Sequence, residues 1–374
     1  MTHTNPIEHF SSLEDYRDQR YISHKMLNIV AISICAIICG AQDWYDVEDF
    51  ASSKKQWLKT FLAIGESTPS HDTFKRFFSY VNPESLEQCF SNWVSAIAEC
   101  SEGRMLHIDG KTLRGSKSNT CTGFVHMVSA WCSTSGLVLG QQKVSEKSNE
   151  ITAIPVLLEQ LIIKGCTITI DAIGCQQDIA ATIIDKQGDY ILAVKGNQKF
   201  LHQDIQEAFE NDKAVDEYTQ NDLGHGRIET RITSVITDLG WICKAEKWKS
   251  LYCIIKVFAV RENKKTGEKQ ASTRYYIASK KASARWYHHA IRSHWSVENQ
   301  LHWVLDVCFD EDASRKQDEH SAQNFSLLNK VVLNTIHHYQ IPDYKGAKKI
   351  SMKRKRNIAA WNNDILLNML FKIK

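Results

Sequence analysis

Between residues 105 and 196 the chain reads as three strand-length apolar runs followed by a regular alternation of helix and strand, an order that leaves few folds open. The runs MLHIDG (105–110), FVHMVSAWC (124–132) and LVLGQQKV (137–144) read as consecutive strands. ITAIPVLLEQLI (151–162) has helical spacing, with Pro155 expected in the first turn, where its missing N–H costs nothing. CTITIDA (166–172) is then a buried strand, CQQDIAATIIDKQ (175–187) a helix and DYILAVKG (189–196) a further strand. The expectation is a mixed α/β sheet with helices packed on it.

The flanks differ from this middle. Residues 1 to about 100 read as helices throughout, beginning with the apolar MLNIVAISICAIIC (26–39). A second segment places Val47, Phe50, Ala51, Leu58, Phe61 and Leu62 at helical spacing. Ser70 or Asp72 caps a short helix carrying Phe74, Phe77 and Phe78, and Pro83 opens another with Leu86, Phe90, Trp93 and Ile97 on one face. Short helices with Lys75 and Arg76 exposed suit a helix-turn-helix-like DNA-binding unit, although a plain helical bundle has the same pattern. From about 200 to 280 the texture is polar and mixed, and LGHGRIETRITSVI (223–236), SLYCIIKVFAVRE (250–262) and TRYYIAS (273–279) look like strands, before helix returns near Ser283. Three strands and then alternating helix and strand is the order of a ribonuclease-H-like (retroviral-integrase-like) domain. We therefore expect an all-α unit at 1–100, an α/β unit of that type at 101–340 with a β-rich insertion at about 200–282, and a basic segment at 341–374.

Composition bounds the function. With 374 residues, 43% apolar content, five prolines and 17 glycines, the chain can fill two or three cores and has little linker. A net charge of +3 does not announce nucleic acid, but KGAKKISMKRKR (345–356) carries seven cations and no acid. Such a block attracts phosphate by releasing condensed counterions, and the same pattern occurs on solvated tails. The 11 cysteines form no CxxC pair, which fits buried reduced thiols better than zinc or redox chemistry. Residues 26–39 fall short of the roughly 20 apolar residues that cross a bilayer, and read as a buried core helix.

Three carboxylates stand out. Asp109 ends the apolar strand MLHI and precedes Gly110; Asp171 ends TITI and precedes Ala172. On neighbouring strands such acids face one another, and their repulsion raises both pKa values unless a cation lies between them. Magnesium, a hard ion that favours carboxylate oxygen, is such a cation. Glu298 lies in ARWYHHAIRSHWSVENQLHWVLDVCF, and at about 100° per residue Ile291, Trp295, Leu301 and Leu305 fall within roughly 60° of it. The glutamate is thus expected at the centre of an apolar stripe that also carries His294 and His302, where it needs a metal or a histidine partner. Asp306 and the cluster Asp310, Glu311 and Asp312 are rival third ligands. Two metals held by such a triad activate water or a 3′-hydroxyl for in-line phosphoryl transfer.

The chain resembles the insertion-sequence DDE transposases, in the H-repeat-associated branch found beside Rhs elements of bacteria. The resemblance runs through CGAQDWYDVEDFA, PSHDTFKRFF, HIDGKTLRGS, VSAWCSTSGLVLGQQKVSEKSNEITAIPVLL, TIDAIGCQ, YILAVKGNQ, GHGRIETR and IRSHWSVENQLHWVLDVCFDEDASR. It implies that Asp109, Asp171 and Glu298 are the family's three acids, with a β-rich insertion before the last. Related transposases carry a Tyr–Arg–Glu–Lys signature; here Arg292 and Glu298 are present at different spacing, and Leu305 stands where the lysine is expected. Lys111, Arg114, Lys195, Asn197, Arg292 and Arg315 are candidate DNA contacts near the site, and Lys353, Arg354, Lys355 and Arg356 in the basic run. The expected cofactor is Mg²⁺ or Mn²⁺, two ions. Expected partners are double-stranded DNA, as element ends and target, and a second copy of the chain on DNA; no membrane is expected, and the location is the bacterial cytoplasm, on the nucleoid. A silent DNA-binding descendant and a general ribonuclease-H-like nuclease are the alternatives.

Overall fold

The computed structural model describes residues 5–98, 103–116, 124–145, 149–224, 226–316, 318–342 and 350–371. Lys345, Lys348 and Lys349 of the basic run lie outside them. Up to residue 98 the regular elements are all helical: α1 Pro6–His9, α2 Met26–Cys39, α3 Trp44–Ser53, α4 Lys55–Leu58, α5 His71–Tyr80 and α6 Pro83–Ile97. Local chemistry sets their ends. Asp43 and Asp46 form a capping box at α3, Ser70 accepts from the Thr73 amide at α5, and Asn82 with Pro83 opens α6. The α2 helix is buried from Asn28 to Ile38 and ends at Gly40, whose φ of 118° favours glycine.

The strands and helices that follow are β1 Met105–Leu113, β2 Val125–Cys132, β3 Leu137–Lys143, α7 Glu150–Gln160, β4 Thr167–Ile170, α8 Gln177–Asp185 and β5 Asp189–Val194. Next come α9 Lys199–Asn211, β6 Asp216–Gly224, β7 Arg227–Ile236, β8 Cys253–Asn263 and β9 Lys269–Ala278. The chain continues with α10 Ala284–Ser296, a π-helical turn Val297–His302, α11 Trp303–Phe309, α12 Glu319–His338, α13 Met352–Trp361 and α14 Asn363–Phe371. The nine strands make one mixed sheet in the order β3-β2-β1-β4-β5-β9-β8-β7-β6, with β1, β4 and β5 parallel and the other pairings antiparallel. This is a mixed α/β fold, as the pattern of residues 105–196 requires. Two expectations need correction. Pro155 lies in the second turn of α7, because the helix starts at Glu150, and it forgoes the bond to the Ile151 carbonyl. The polar and mixed segment after 199 opens on an unexpected helix, α9, with Leu201, Ile205 and Ala208 as its buried face. Of its strands, β9 pairs with β5 through Ile191 and Ala278, and so extends the central sheet.

Strand alternation gives the sheet two faces. Ile108, Ile168, Ile170 and Leu192 enter the core with α7, α8 and α9, while Ile191, Ile255 and Tyr276 pack under Tyr287, Ala290 and Ile291 of α10. A third core joins α2 through α6 to α12, α13 and α14, so the early and late helices are packed as one body. Among the described residues no single helix is long and apolar enough to cross a membrane; α2 and α3 pass that test only together, bent by 96°. All the described cysteines are free thiols.

The 20-residue α12 ties these parts together with buried polar groups. Asn324 donates to the Phe78 and Val81 carbonyls at the end of α5, and Asn334 bonds both backbone groups of Val138 on the edge strand β3. Lys330, 3% exposed, reaches Gln141 of β3 and Ser326, and Ser326 donates to Glu311 at 2.9 Å. Glu311 also meets Lys111 of β1 at 2.9 Å. Burial pushes the Glu311 carboxyl up, but the charges of Lys111 and Lys330 outweigh it and hold it below its ordinary value. Removing one member of such a set strands the others unpaired. Lys330→Met is therefore expected to cost about 3–5 kcal/mol in urea unfolding, and a loss under about 1 kcal/mol would show that the network is not held as described.

Candidate active site

Asp109 and Asp171 stand together because β1 and β4 run parallel and in register. Ile108 lies beside Ile170, and the next residue of each chain segment is the aspartate. The isoleucines enter the core below, so alternation sends both carboxylates to the opposite face, against which α10 and the π-helical turn pack. Burial first, then the charges of Asp171, Glu150 and Glu298, push the Asp109 carboxyl up to about 7; the Gly110 amide opposes this only in part. Burial and Glu150 likewise raise Asp171, against the Gly174 and Ile173 amides and Lys195. The Ile173 amide donates to Asp171 Oδ1 at 3.1 Å.

Glu150 is the acid that sequence reasoning missed. As the first residue of α7, behind the Asn149 cap, it reads as an ordinary helix-start glutamate. In the fold it lies over β1 and bonds His126 Nε2 at 2.6 Å, while Thr112 holds His126 Nδ1 at 2.8 Å. A Cβ at Gly110 would lie 2.2 Å from Glu150 Oε1, so the glycine after Asp109 leaves room for Glu150 over β1, from where its charge raises both aspartates.

Glu298 is not placed where its helical spacing predicts. It is exposed, and Val297, Leu301 and Leu305 fill the apolar stripe instead. The cause is the π-helical turn, in which the Trp303 amide bonds the Glu298 carbonyl. A π turn takes up one extra residue, which rotates the helical face. An uninterrupted α-helix puts Glu298 in the stripe; the π turn puts Val297 there and swings Glu298 to the edge, where its charge acts on Asp109. Neither histidine holds it. His294 bonds Thr169, and His302, forced neutral by burial at about 3, lies with Nδ1 3.6 Å from Asp109 Oδ2 and with Nε2 buried and unpartnered.

The rival acids are neutralised locally. Lys111 bonds Asp306 and Glu311, and Arg114 lies 3.5 Å from Asp312. Lys111, its side chain 10% exposed, is therefore an internal brace and not a DNA contact. Lys355 and Arg356 are corrected in the same way. Lys355 caps α12 through the Ile336 and Tyr339 carbonyls, and buried Arg356 caps α2 through Ile37 at 2.7 Å. Asn197 donates to the Ala172 carbonyl at 2.5 Å and so braces the loop after Asp171. The cations that remain exposed are Arg114, Lys195, Arg292, Arg315, Lys353 and Arg354. Arg292 lines a cavity of about 280 Å³ with Arg231, Arg261, Arg274, Trp295 and Asn299, next in chain to Glu298.

Among the described residues no three His, Cys, Asp or Glu side chains converge into a finished metal cage. The chemistry of the donors nonetheless fits a hard cation. The charges of Asp171, Glu150 and Glu298 all act on Asp109, and that of Glu150 on Asp171, so a cation beside the two aspartates would relieve both.

Compared with known proteins, residues 7–94 match the family model described as DDE_Tnp_1-associated, and residues 101–335 the one described as Transposase DDE domain. The chain is 41% identical over 373 residues to "Putative transposase YncI" of Escherichia coli O157:H7, covering 97% of this chain and 94% of that protein. It is 37% identical over 375 residues to "H repeat-associated putative transposase YhhI" of Escherichia coli strain K12, covering 97% of each. To "H repeat-associated putative transposase YbfD" of the same strain it is 40% identical over 231 residues, 60% of this chain and 91% of that one.

The acid cluster makes stability depend on pH. An aspartate raised from 3.8 to about 7 binds its proton more tightly folded than unfolded, so the chelator-treated protein loses stability as pH rises from about 4 to about 7. Asp109→Asn is expected to flatten that fall in melting temperature, and an unchanged slope would contradict the assignment. Added Mn²⁺ should raise the wild-type midpoint most above pH 7.

Proposed function

Because the chain belongs to the DDE transposase family, we propose that it cuts DNA at the ends of an insertion-sequence-like element and joins those ends to a target. The observation that carries this reading is the packing of Asp109 and Asp171 side by side on in-register strands, with the charge of Glu298 acting on Asp109. The sheet order β3-β2-β1-β4-β5 supports a ribonuclease-H-like core. On that reading the all-α unit ends near residue 100, β6 through β9 form the insertion, and the basic segment follows residue 340.

Family membership implies a divalent metal, and Asp109, Asp171 and Glu298 are the side chains we assign to hold it, as Mg²⁺ or Mn²⁺ in two ions. When bound, such ions balance the carboxylates and polarise the oxygens of phosphate and nucleophile. In cleavage a water oxygen bonds to phosphorus as the bond to the 3′-oxygen breaks, and a water proton passes to that oxygen. In joining, the freed 3′-hydroxyl oxygen bonds to a target phosphorus as the bond from that phosphorus to the target's own 3′-oxygen breaks, and the hydroxyl proton goes to the departing oxygen. We assign Lys195, whose charge acts on Asp171, and Arg292, in the cavity that Asn299 also lines, to hold the phosphates on either side. Arg114, Arg315, Lys353 and Arg354 extend the DNA-facing surface, with Lys75 and Arg76 on α5. Paired-end chemistry calls for a homodimer or higher assembly on DNA, in the bacterial cytoplasm on the nucleoid.

Purified protein with Mn²⁺ and DNA carrying the element ends tests this. Asp109→Ala, Asp171→Ala and Glu298→Ala are each expected to slow cleavage about 10³-fold, the loss of several kcal/mol of transition-state stabilisation, with DNA binding retained. Full cleavage by Glu298→Ala would remove Glu298 from the triad and point to Glu150. A wild type that binds the ends and leaves them uncut would make the chain a DNA-binding descendant instead. Lys195→Ala should lower the salt dependence of DNA binding by about one phosphate contact.

A further inference from the structure

One layer beneath the carboxylates lies a chain of buried hydrogen bonds that the chemistry above does not use. His107 and Thr169 precede Asp109 and Asp171 by two residues each and so share their face of the sheet. The parallel register sets His107 directly beside Thr169, and the two are 0% and 3% exposed. His107 Nδ1 lies 2.6 Å from Thr169 Oγ1, and the same oxygen lies 2.7 Å from His294 Nδ1 in the last turn of α10. His107 Nε2 continues the chain to Ser133 Oγ at 2.8 Å. The two imidazoles meet edge to face, with ring centres 5.7 Å apart.

One hydroxyl thus joins two strands to one helix. A threonine oxygen can donate once while accepting, so it satisfies two neutral imidazoles in a fixed direction that apolar packing does not impose. The apolar grip on α10 comes from Ala284, Tyr287, Ala290 and Ile291 before His294 and is taken up by Val297 and Leu301 in the π turn after it, and such contacts resist separation more than sliding. His294 is the polar anchor at the end where the helix passes into the π turn, and Glu298 follows four residues later.

We propose that Thr169 is a positioning residue: through His294 it fixes the end of α10 on the strand pair, and thereby sets where Glu298 stands relative to Asp109 and Asp171. Strand spacing alone orders the two aspartates. The third acid, arriving on a separate element more than 120 residues later, takes its place from this bridge. The role of Glu298 in holding metal rests on the function proposed above, whereas the bridge itself does not.

The test compares full-length Thr169→Val, which keeps the shape and loses the hydroxyl, with Thr169→Ser, which keeps the hydroxyl. Amide hydrogen exchange at residues 292–298 is expected to quicken in Thr169→Val at least about tenfold more than exchange in α12, and to stay near wild type in Thr169→Ser. The unfolding midpoint is lowered only in Thr169→Val, where two buried imidazoles lose their partner. Mn²⁺ affinity, followed by the resonance of the free ion, should weaken at least about tenfold in Thr169→Val but not in Thr169→Ser. In a Glu298→Gln background, Thr169→Val should weaken it no further, because the effect passes through Glu298. Unchanged exchange at the end of α10 in Thr169→Val would overturn the proposal. So would a loss of Mn²⁺ affinity that repeats in full without Glu298. A wild type that takes up no Mn²⁺ would overturn the metal reading of the triad, while the exchange comparison still decides the bridge.

Discussion

Everything at the candidate site depends on the parallel pairing of two short strands. Once Ile108 lies beside Ile170, the residue after each is at the same level, and alternation sends Asp109 and Asp171 to the same side. A slip of one residue would send one carboxylate into the core beneath α7 and α8, where it has no partner. The register is therefore fixed by hydrophobic burial, and the proximity of two like charges is imposed on the site by the fold. The raised Asp109 and Asp171 carboxyls are the electrostatic consequence.

The rest of the molecule holds that arrangement from outside. The α12 helix bonds the edge strand β3, the end of α5 and, through Ser326 and Glu311, the brace at Lys111 two residues beyond Asp109. The early helices consequently share a core with the late ones, and a charge set built of Lys111, Glu311 and Lys330 occupies the seam. That brace also pairs Asp306 and Glu311 with a cation.

Much of this was legible in the sequence, because β1, β2, β4 and β5 are apolar runs of strand length and Asp171 follows directly on β4. Asp109, expected to end its strand, sits in the middle of β1, which runs on to Leu113 in its pairing with β2. What the sequence hid follows from physical causes. Periodicity assumes a constant rotation per residue, so the π turn was invisible and Glu298 was placed in a stripe that Val297 occupies. Glu150 carries no local signal beyond a helix start, and its approach depends on the bare backbone of Gly110. Arg356 and Lys355 look like DNA-binding cations in a basic run, yet each closes the open carbonyls of a helix end. The α9 helix was missed because its apolar positions are few within a polar stretch.

The account turns on the two in-register aspartates acting with Glu298 as one cation-binding centre. The most direct measurement is anomalous diffraction from crystals of the chain with a DNA end, soaked in Mn²⁺. The account predicts manganese density in contact with the carboxylates of Asp109 and Asp171, with Glu298 drawn in. Density at Asp306 and Glu311, or none between the two aspartates at saturating Mn²⁺, would contradict it.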